Sequence, residues 1–343
     1  MNIIDNSTAA RDLLKRMGIT QLLGSGATEV IINRAGEIIT EDKDGFHHHK
    51  ANFSYQDLLQ LANVLCIFND KHDLDERLTQ SVRLPDGERG HIVIPPACED
   101  NTVVFAFRKP SKTRFTLQDY IQTGRLDNFK DTAEHPTIAD IPSEIKPLIA
   151  DWQLQMIDAK NNKDMATFFQ VATENHCNIC MVGGTGSGKT TFTKAIADLI
   201  DHKTRIITIE DTHELDLPYH KNHAHLFYGE QITAKALIAA CMRLKPDRIF
   251  LTELRGDEAW DYLSALNTGH AGGLTSVHAN DSRSVFYRIA QLAKESETGR
   301  AMDYNFILNI VKSTIDIVCF FKHTEMIELY YDPVSKIIAA NGR

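Results

Sequence analysis

Apolar and polar positions follow different periods in the two halves of this chain. Before residue 126 the runs are short and mixed. Val30-Ile31-Ile32 and Glu37-Ile38-Ile39-Thr40 are β-prone segments on either side of a turn at Ala35-Gly36. Leu58, Leu61, Ala62 and Leu65 recur at helical spacing after Tyr55. The turn Pro85-Asp86-Gly87 precedes strand candidates at 91–94 and 103–107. Residues 1–126 therefore read as a small α+β domain. From 127 to 148, Asp131, Glu134, Pro136, Asp140, Pro142, Glu144 and Pro147 interrupt every period, which predicts a linker with at most short helical pieces. A connection of ~20 residues is long inside one compact domain, so a boundary is expected there. Its reach would let the second domain sit beneath a neighbour's first domain in an assembly.

Residues 149–343 alternate strands and helices. Asn178–Val182, Arg205–Ile209, Arg248–Leu251 and Leu274–Val277 are apolar strand candidates. Phe192, Ala195, Ile196, Leu199 and Ile200 share one helical face, and helical patterns recur near 233–242, 257–267 and 282–294. Such alternation predicts an α/β domain with a largely parallel sheet covered by helices. The tail adds β structure at Ile315–Phe321 and Met326–Tyr331, with a turn at Asp332-Pro333.

Composition narrows the class. The 343 residues suit about two domains, and 43% hydrophobic with 24% charged residues is globular usage. A net charge of −9 argues against general nucleic-acid binding, so direct contact with DNA or RNA is not expected. Asp5, Arg11, Lys15 and Arg16 leave no apolar core for a signal peptide, and no apolar run reaches the ~18 residues of a membrane span. The six cysteines lack the spacing of a disulfide framework, which fits a reducing compartment. A cytoplasmic protein, held at a membrane by partners, is expected.

Chemistry concentrates at four strand ends. Gly183-Gly184-Thr185-Gly186-Ser187-Gly188-Lys189-Thr190 is a complete Walker A motif between a strand and an amphipathic helix. Its glycines let the loop turn its N–H groups toward phosphate, the helix adds its positive end, and Lys189 reaches the β and γ groups. Thr190 offers a hydroxyl to Mg²⁺. Ile206–Asp211 is an apolar strand ending in Glu210 and Asp211, and Glu210 is the first candidate for the base that activates water. Asp247–Glu253 is a third strand whose terminal acid, Glu253, suits a Walker B role on Mg²⁺, directly or through water. Spacing alone does not decide which glutamate takes the proton. Leu274–His278 places His278 at a fourth strand end.

These segments together resemble the secretion ATPases of the type II/type IV superfamily. The resemblance rests on Gly184–Thr191, Ile207–Asp211, Arg243–Arg248, Glu253-Leu254-Arg255-Gly256 and Gly269-His270 through Ser276–Asn280. They occur in the family's order as Walker A, Asp box, Walker B and His box. In the first half, Leu84–Arg89, Ile94–Ala97 and Arg108-Lys109-Pro110-Ser111 resemble the family's N-terminal nucleotide-facing segments. The similar branch is that of the conjugative type IV traffic ATPases, the eleventh component of the VirB apparatus. The resemblance implies a RecA-like P-loop domain behind the smaller N-terminal domain, in a homohexamer that hydrolyses ATP with Mg²⁺. It implies work at the cytoplasmic face of the inner membrane, beside inner-membrane secretion ATPases and a coupling protein, energising pilus biogenesis and substrate transfer. On this basis Lys189, Glu210, Glu253, His278 and Arg255 are catalytic. Thr191 joins the phosphate loop, and Arg89 and Arg108 contact phosphates from the N-terminal domain, a task suited to guanidinium.

Two positions depart from the pattern. Thr252 stands where Gly is usual before the Walker B Glu, placing a hydroxyl near Mg²⁺, and Lys245 stands where Arg is common. Other readings are a pilus extension or retraction ATPase, a type II secretion ATPase, a nucleic-acid-translocating RecA-like motor and a small-molecule kinase. His47-His48-His49 reads as a solvated turn, Cys177 and Cys180 as part of the strand region rather than a redox pair, and Trp260 as helical core.

Overall fold

A computed structural model describes residues 7–42, 44–71, 74, 77–109 and 114–342. The chain forms two compact units, Met1–Lys112 and Thr113–Arg343.

The first unit contains α1 (Ser7–Arg16), α2 (Ile19–Gly24), β1 (Glu29–Ile32), β2 (Glu37–Asp42), β3 (Gly45–Lys50), α3 (Tyr55–Phe68), β4 (Thr79–Arg83), β5 (Arg89–Val93) and β6 (Val104–Arg108). The strands form one sheet of order β3-β2-β1-β6-β5-β4, antiparallel throughout. Alternating burial along β1, β4, β5 and β6 gives the sheet one covered face, as a half-solvated antiparallel sheet requires. Leu13, Leu14, Leu58, Leu61 and Leu65 of the helices pack there with Val30, Ile92, Phe105 and Phe107. α3 starts at a capping box in which Ser54 and Asp57 satisfy each other's backbone N–H. The α+β expectation holds. The three histidines expected in a turn instead belong to β3, an edge strand whose register sets His49 opposite Ile38.

The second unit comprises α4 (Leu117–Gln122), β7 (Lys130–Asp131), α5 (Asp151–Asn161), α6 (Met165–Glu174), β8 (Ile179–Val182), α7 (Lys189–Ala197), β9 (Ile206–Glu210), β10 (His223–Phe227), α8 (Ala234–Leu244), β11 (Arg248–Leu251), α9 (Glu258–Asn267), β12 (Leu274–Val277), α10 (Ser284–Glu295), α11 (Glu297–Ala301), α12 (Tyr304–Thr314), β13 (Ile317–Lys322), β14 (Glu325–Tyr331) and α13 (Pro333–Asn341). Its sheet runs β10-β9-β11-β12-β8-β13-β14-β7. Pairing from β10 to β13 is parallel, and β14 turns back antiparallel to β13. Every residue of β8, β9, β11 and β12 is buried, because helices cover both faces, and this is why those strands read as predominantly apolar runs without alternation. Asp332-Pro333, expected as a turn, starts α13: Asp332 caps it and Pro occupies a first-turn position that needs no N–H donor.

The expected domain boundary moves. Residues 127–148 are not a free linker between domains 1–126 and 149–343. Leu117, Tyr120, Leu126, Phe129, Ile141 and Ile149 are buried in the core of the second unit. β7 pairs with β14, and buried Lys160 of α5 bonds Asp131 at 2.7 Å. Pro and acidic residues did break the periodicity, leaving only short 3₁₀ turns at Ile138–Asp140 and Lys146–Leu148, yet apolar anchors between them fix the path. The tether of ~20 residues inferred for reach into a neighbour is therefore absent.

Candidate active site

The carboxyl ends of β8, β9, β11 and β12 lie side by side in the sheet, which is where open α/β sheets bind ligands. β8 runs into the Gly-rich loop and then α7. Gly183 has φ +147°, and a Cβ there would sit 2.4 Å from the carbonyl oxygen of Phe321, so neither the conformation nor the space admits another residue. Gly188 enters α7 with φ +95°. Lys189 is 9% exposed and its Nζ donates to the carbonyls of Gly183 (2.7 Å) and Gly184 (2.8 Å). Ser187 Oγ also donates to Gly184 O. The ammonium thus lies under the loop, on the carbonyls it crosses.

β9 ends in Glu210, which is fully buried. One carboxylate oxygen accepts the backbone N–H groups of Glu214 (2.9 Å) and Leu215 (3.0 Å), and the other accepts the Thr208 hydroxyl (2.9 Å). Burial pushes this carboxyl up, but the His225 imidazole, these N–H donors and Thr208 outweigh it and hold it below the usual glutamate value. Glu210 therefore folds the segment after β9 back over itself. That turn brings Glu214 to Thr190, whose hydroxyl donates to Glu214 at 3.1 Å. Glu214 escaped the sequence reading because nothing in the local pattern announces a turn made by a buried carboxylate four residues earlier.

β11 leads into Thr252 and Glu253. The Thr252 hydroxyl donates back to Ile209 O at 3.3 Å, so the departure from Gly is absorbed by β9 rather than exposed to the site. Ser276 of β12 donates to Thr252 O, and Leu254 N donates to Ser276 O, which fixes the turn. Glu253, its side chain 19% exposed, receives Arg255 at 2.7 Å and lies 3.1 Å from His278 Nε2. Arg255 also reaches Asp211 at 2.8 Å. Burial disfavours the Arg255 cation, but Glu253 and Asp211 outweigh it and keep the charge firmly in place. Burial, then the nearby Lys189 charge, push His278 below its ordinary value, leaving it neutral at pH 7.

The catalytic candidates of the second unit thus converge on one sheet edge, with Glu253, His278 and Arg255 in direct contact and Glu210 one step back. Arg89 and Arg108 belong to the first unit. They face each other in register across β5 and β6, with Arg83 opposite Arg89 on the other side, a cross-strand row of three guanidiniums. Arg108 lies opposite Glu29 of β1 on its other side, so the row ends on an acid. Pro110 and Ser111 of the neighbouring motif lie outside the described residues. Lys245 ends α8 in the left-handed region with φ +54°. Cys177 and Cys180 are buried, and burial pushes the Cys180 thiol up to about 12, which removes redox reactivity. Trp260 is partly buried against the core, as expected. Among the described residues no helix is long and apolar enough to cross a membrane.

A strand-borne phosphate loop with acids on the neighbouring parallel strands is the construction of RecA-like P-loop ATPases. Residues 148–322 match the family described as "Type II/IV secretion system protein". The type IV secretion protein VirB11 of Brucella suis is 35% identical over 325 residues, covering 90% of this chain and 86% of that protein. PtlH of Bordetella pertussis is 33% identical, covering 84% of each. Among solved structures, the VirB11 ATPase of Brucella suis with sulphate aligns at TM-score 0.54 and 34% identity over 98% of both chains. The pilus retraction motor PilT with bound ADP aligns at TM-score 0.62 over 96% of this chain, with 16% identity, a likeness of fold alone. The chain belongs to the type II/IV secretion system protein family and is an ATPase of it.

Proposed function

We propose that this protein is the hexameric, Mg²⁺-dependent ATP-hydrolysing motor of a type IV secretion system, peripheral to the cytoplasmic face of the inner membrane. Inner-membrane secretion ATPases and a coupling protein would be its partners, and its work pilus biogenesis and substrate transfer. The observation that carries the catalytic part is the phosphate loop with Lys189 following β8, beside Glu253 and His278, 3.1 Å apart, at the ends of the neighbouring strands β11 and β12. The type IV assignment rests on relatives that share most of the chain's length. Thr190 with Glu214 supplies oxygen donors only, which suits a hard cation such as Mg²⁺, and Glu253 would reach that ion directly or through water. When bound with the nucleotide, Mg²⁺ neutralises charge on the β and γ oxygens.

The residues divide the remaining work. Lys189 exchanges the carbonyls of Gly183 and Gly184 for phosphate oxygens, so its charge is already in place when the nucleotide arrives. Gly184, Thr185, Gly186, Ser187, Gly188 and Thr191 supply the loop and first helical turn around the phosphates. We assign the base to Glu253 rather than Glu210. Both carboxylates have donors at each oxygen, but Glu210 is fully buried, whereas the Glu253 side chain is 19% exposed and retains access to solvent. Water attacks the γ-phosphorus, its proton passes to Glu253, and ADP leaves with the bridging oxygen. Neutral His278 holds the Glu253 carboxylate in place, and Arg255 balances its charge against Asp211. Arg89 and Arg108, in register on neighbouring strands of the first unit, are guanidiniums of the kind that bind phosphate in a bidentate way. Phosphate release by wild type, measured against Lys189→Ala, tests the reading: the variant should lose at least about 100-fold in turnover, and equal turnover would overturn it.

A further inference from the structure

We infer that Glu210, His213 and His225 form a binding site for a zinc-class divalent transition metal, separate from the Mg²⁺ position at Thr190. Glu210 Oε1 lies 3.4 Å from His225 Nδ1 and 3.5 Å from His213 Nδ1, and the three donor atoms all fall within 4.8 Å of one another. Both contacts are longer than the about 2.7–2.9 Å of a close charge-assisted N–H···O bond. A tetrahedral ion with bonds of ~2.0–2.1 Å separates its ligand atoms by about 3.3 Å, and both contacts lie near that edge length. His213, with its side chain 44% exposed, can turn to close the third edge and gives the ion a way in. Two imidazoles and one carboxylate leave a fourth position for water.

The surroundings hold the donors in place. The N–H groups of Glu214 and Leu215 anchor the carboxylate oxygen opposite the ligating one and Thr208 donates to Glu210 Oε1, while the Thr208 hydroxyl, 2.7 Å from His225 Nδ1, must give up that nitrogen to the ion. Such outer partners orient ligands and tune affinity. Imidazole donors disfavour Mg²⁺ and favour zinc or cobalt, so the two sites sort their ions by donor type. The consequence is mechanical. An ion here pins the segment after β9 to β10, and that segment carries Glu214, which holds the Thr190 hydroxyl.

The test uses the full chain, stripped with chelator and then offered ZnCl₂ or CoCl₂ in excess Mg²⁺ without nucleotide. Wild type should retain one zinc per chain after gel filtration, and cobalt should give the visible bands of a four-coordinate ion without sulfur charge transfer. His213→Ala, an exposed change whose folding is checked by metal-free melting, should weaken binding by at least about 100-fold, more than loss of an outer partner costs. No retained metal, equal retention in the variant, or a thiolate spectrum would overturn the site. Because the readout is binding, either result leaves the hydrolysis assignment standing.

Discussion

Two glutamates at neighbouring strand ends have opposite surroundings, and substitution should separate them. Glu253→Gln keeps size and removes the proton acceptor; nucleotide binding should persist while turnover drops about 10²–10⁴-fold. Glu210→Gln replaces one accepting oxygen by a donor beside backbone N–H groups, or turns that donor on Thr208 and His225. Its main effect should be loss of about 3 kcal/mol of stability, read by denaturant unfolding. A Glu210→Gln protein of wild-type stability but without turnover would return the base to Glu210. The Glu210 carboxyl lies below its ordinary value when folded, so its stabilisation is complete above the unfolded pKa and is lost as pH falls through the folded one. His278 has the opposite charge sense. Its folded pKa is lowered, so the imidazole is neutral at pH 7 and gains a proton only below about 6.5. A protonated His278 would ion-pair with Glu253 and weaken the base. Turnover should therefore fall on the acid side of pH 6.5, and His278→Gln should lack that part of the profile. An unchanged profile would remove His278 from the site.

At the scale of elements, the segment 117–149 is where packing overrides pattern. Asp131 in two-residue β7 is partnered by Lys160, whose side chain is fully buried. Asp131→Ala should leave that ammonium without its counter-charge and cost about 3 kcal/mol in unfolding; a residue in a free linker would cost almost nothing. Why β7 was illegible is plain: two residues carry no period, and the strand exists only because β14 arrives from much later in the chain, pairing Glu328 with Lys130 and Leu329 with Asp131. α5 was missed for a related reason, since buried Lys160 interrupts the apolar face that would mark it. In contrast β8, β9, β11 and β12 were legible, because burial on both faces demands short, predominantly apolar runs. The acids at their ends could be located for the same reason. Glu214, His213 and His225 could not, because they meet only once a buried carboxylate has turned the chain.

The whole molecule raises the question of how phosphate chemistry becomes work. The second unit carries the phosphate loop, acids and His278; the first carries the row Arg83, Arg89 and Arg108. Guanidiniums opposed across a sheet gain from an anion, and their interaction weakens when that anion loses charge or leaves. If Arg108 meets the γ-phosphate, hydrolysis removes a partner of the first unit and gives the motor two states to alternate between. Arg108→Ala should then lower turnover about tenfold or more with only a small fall in melting temperature, since Arg108 stands between Arg89 and Glu29 and its loss removes one repulsive and one attractive cross-strand pair. Light scattering on the same preparations gives the second half of the test. A particle of about six chains in both proteins, with DNA leaving turnover unaltered, fits a ring whose subunits share nucleotide contacts. A monomer that hydrolyses only with DNA would make the arginine row a phosphodiester track and the protein a nucleic-acid motor. An Arg108→Ala ring with full turnover would detach the first unit from hydrolysis and confine the catalytic machinery to residues 183–278.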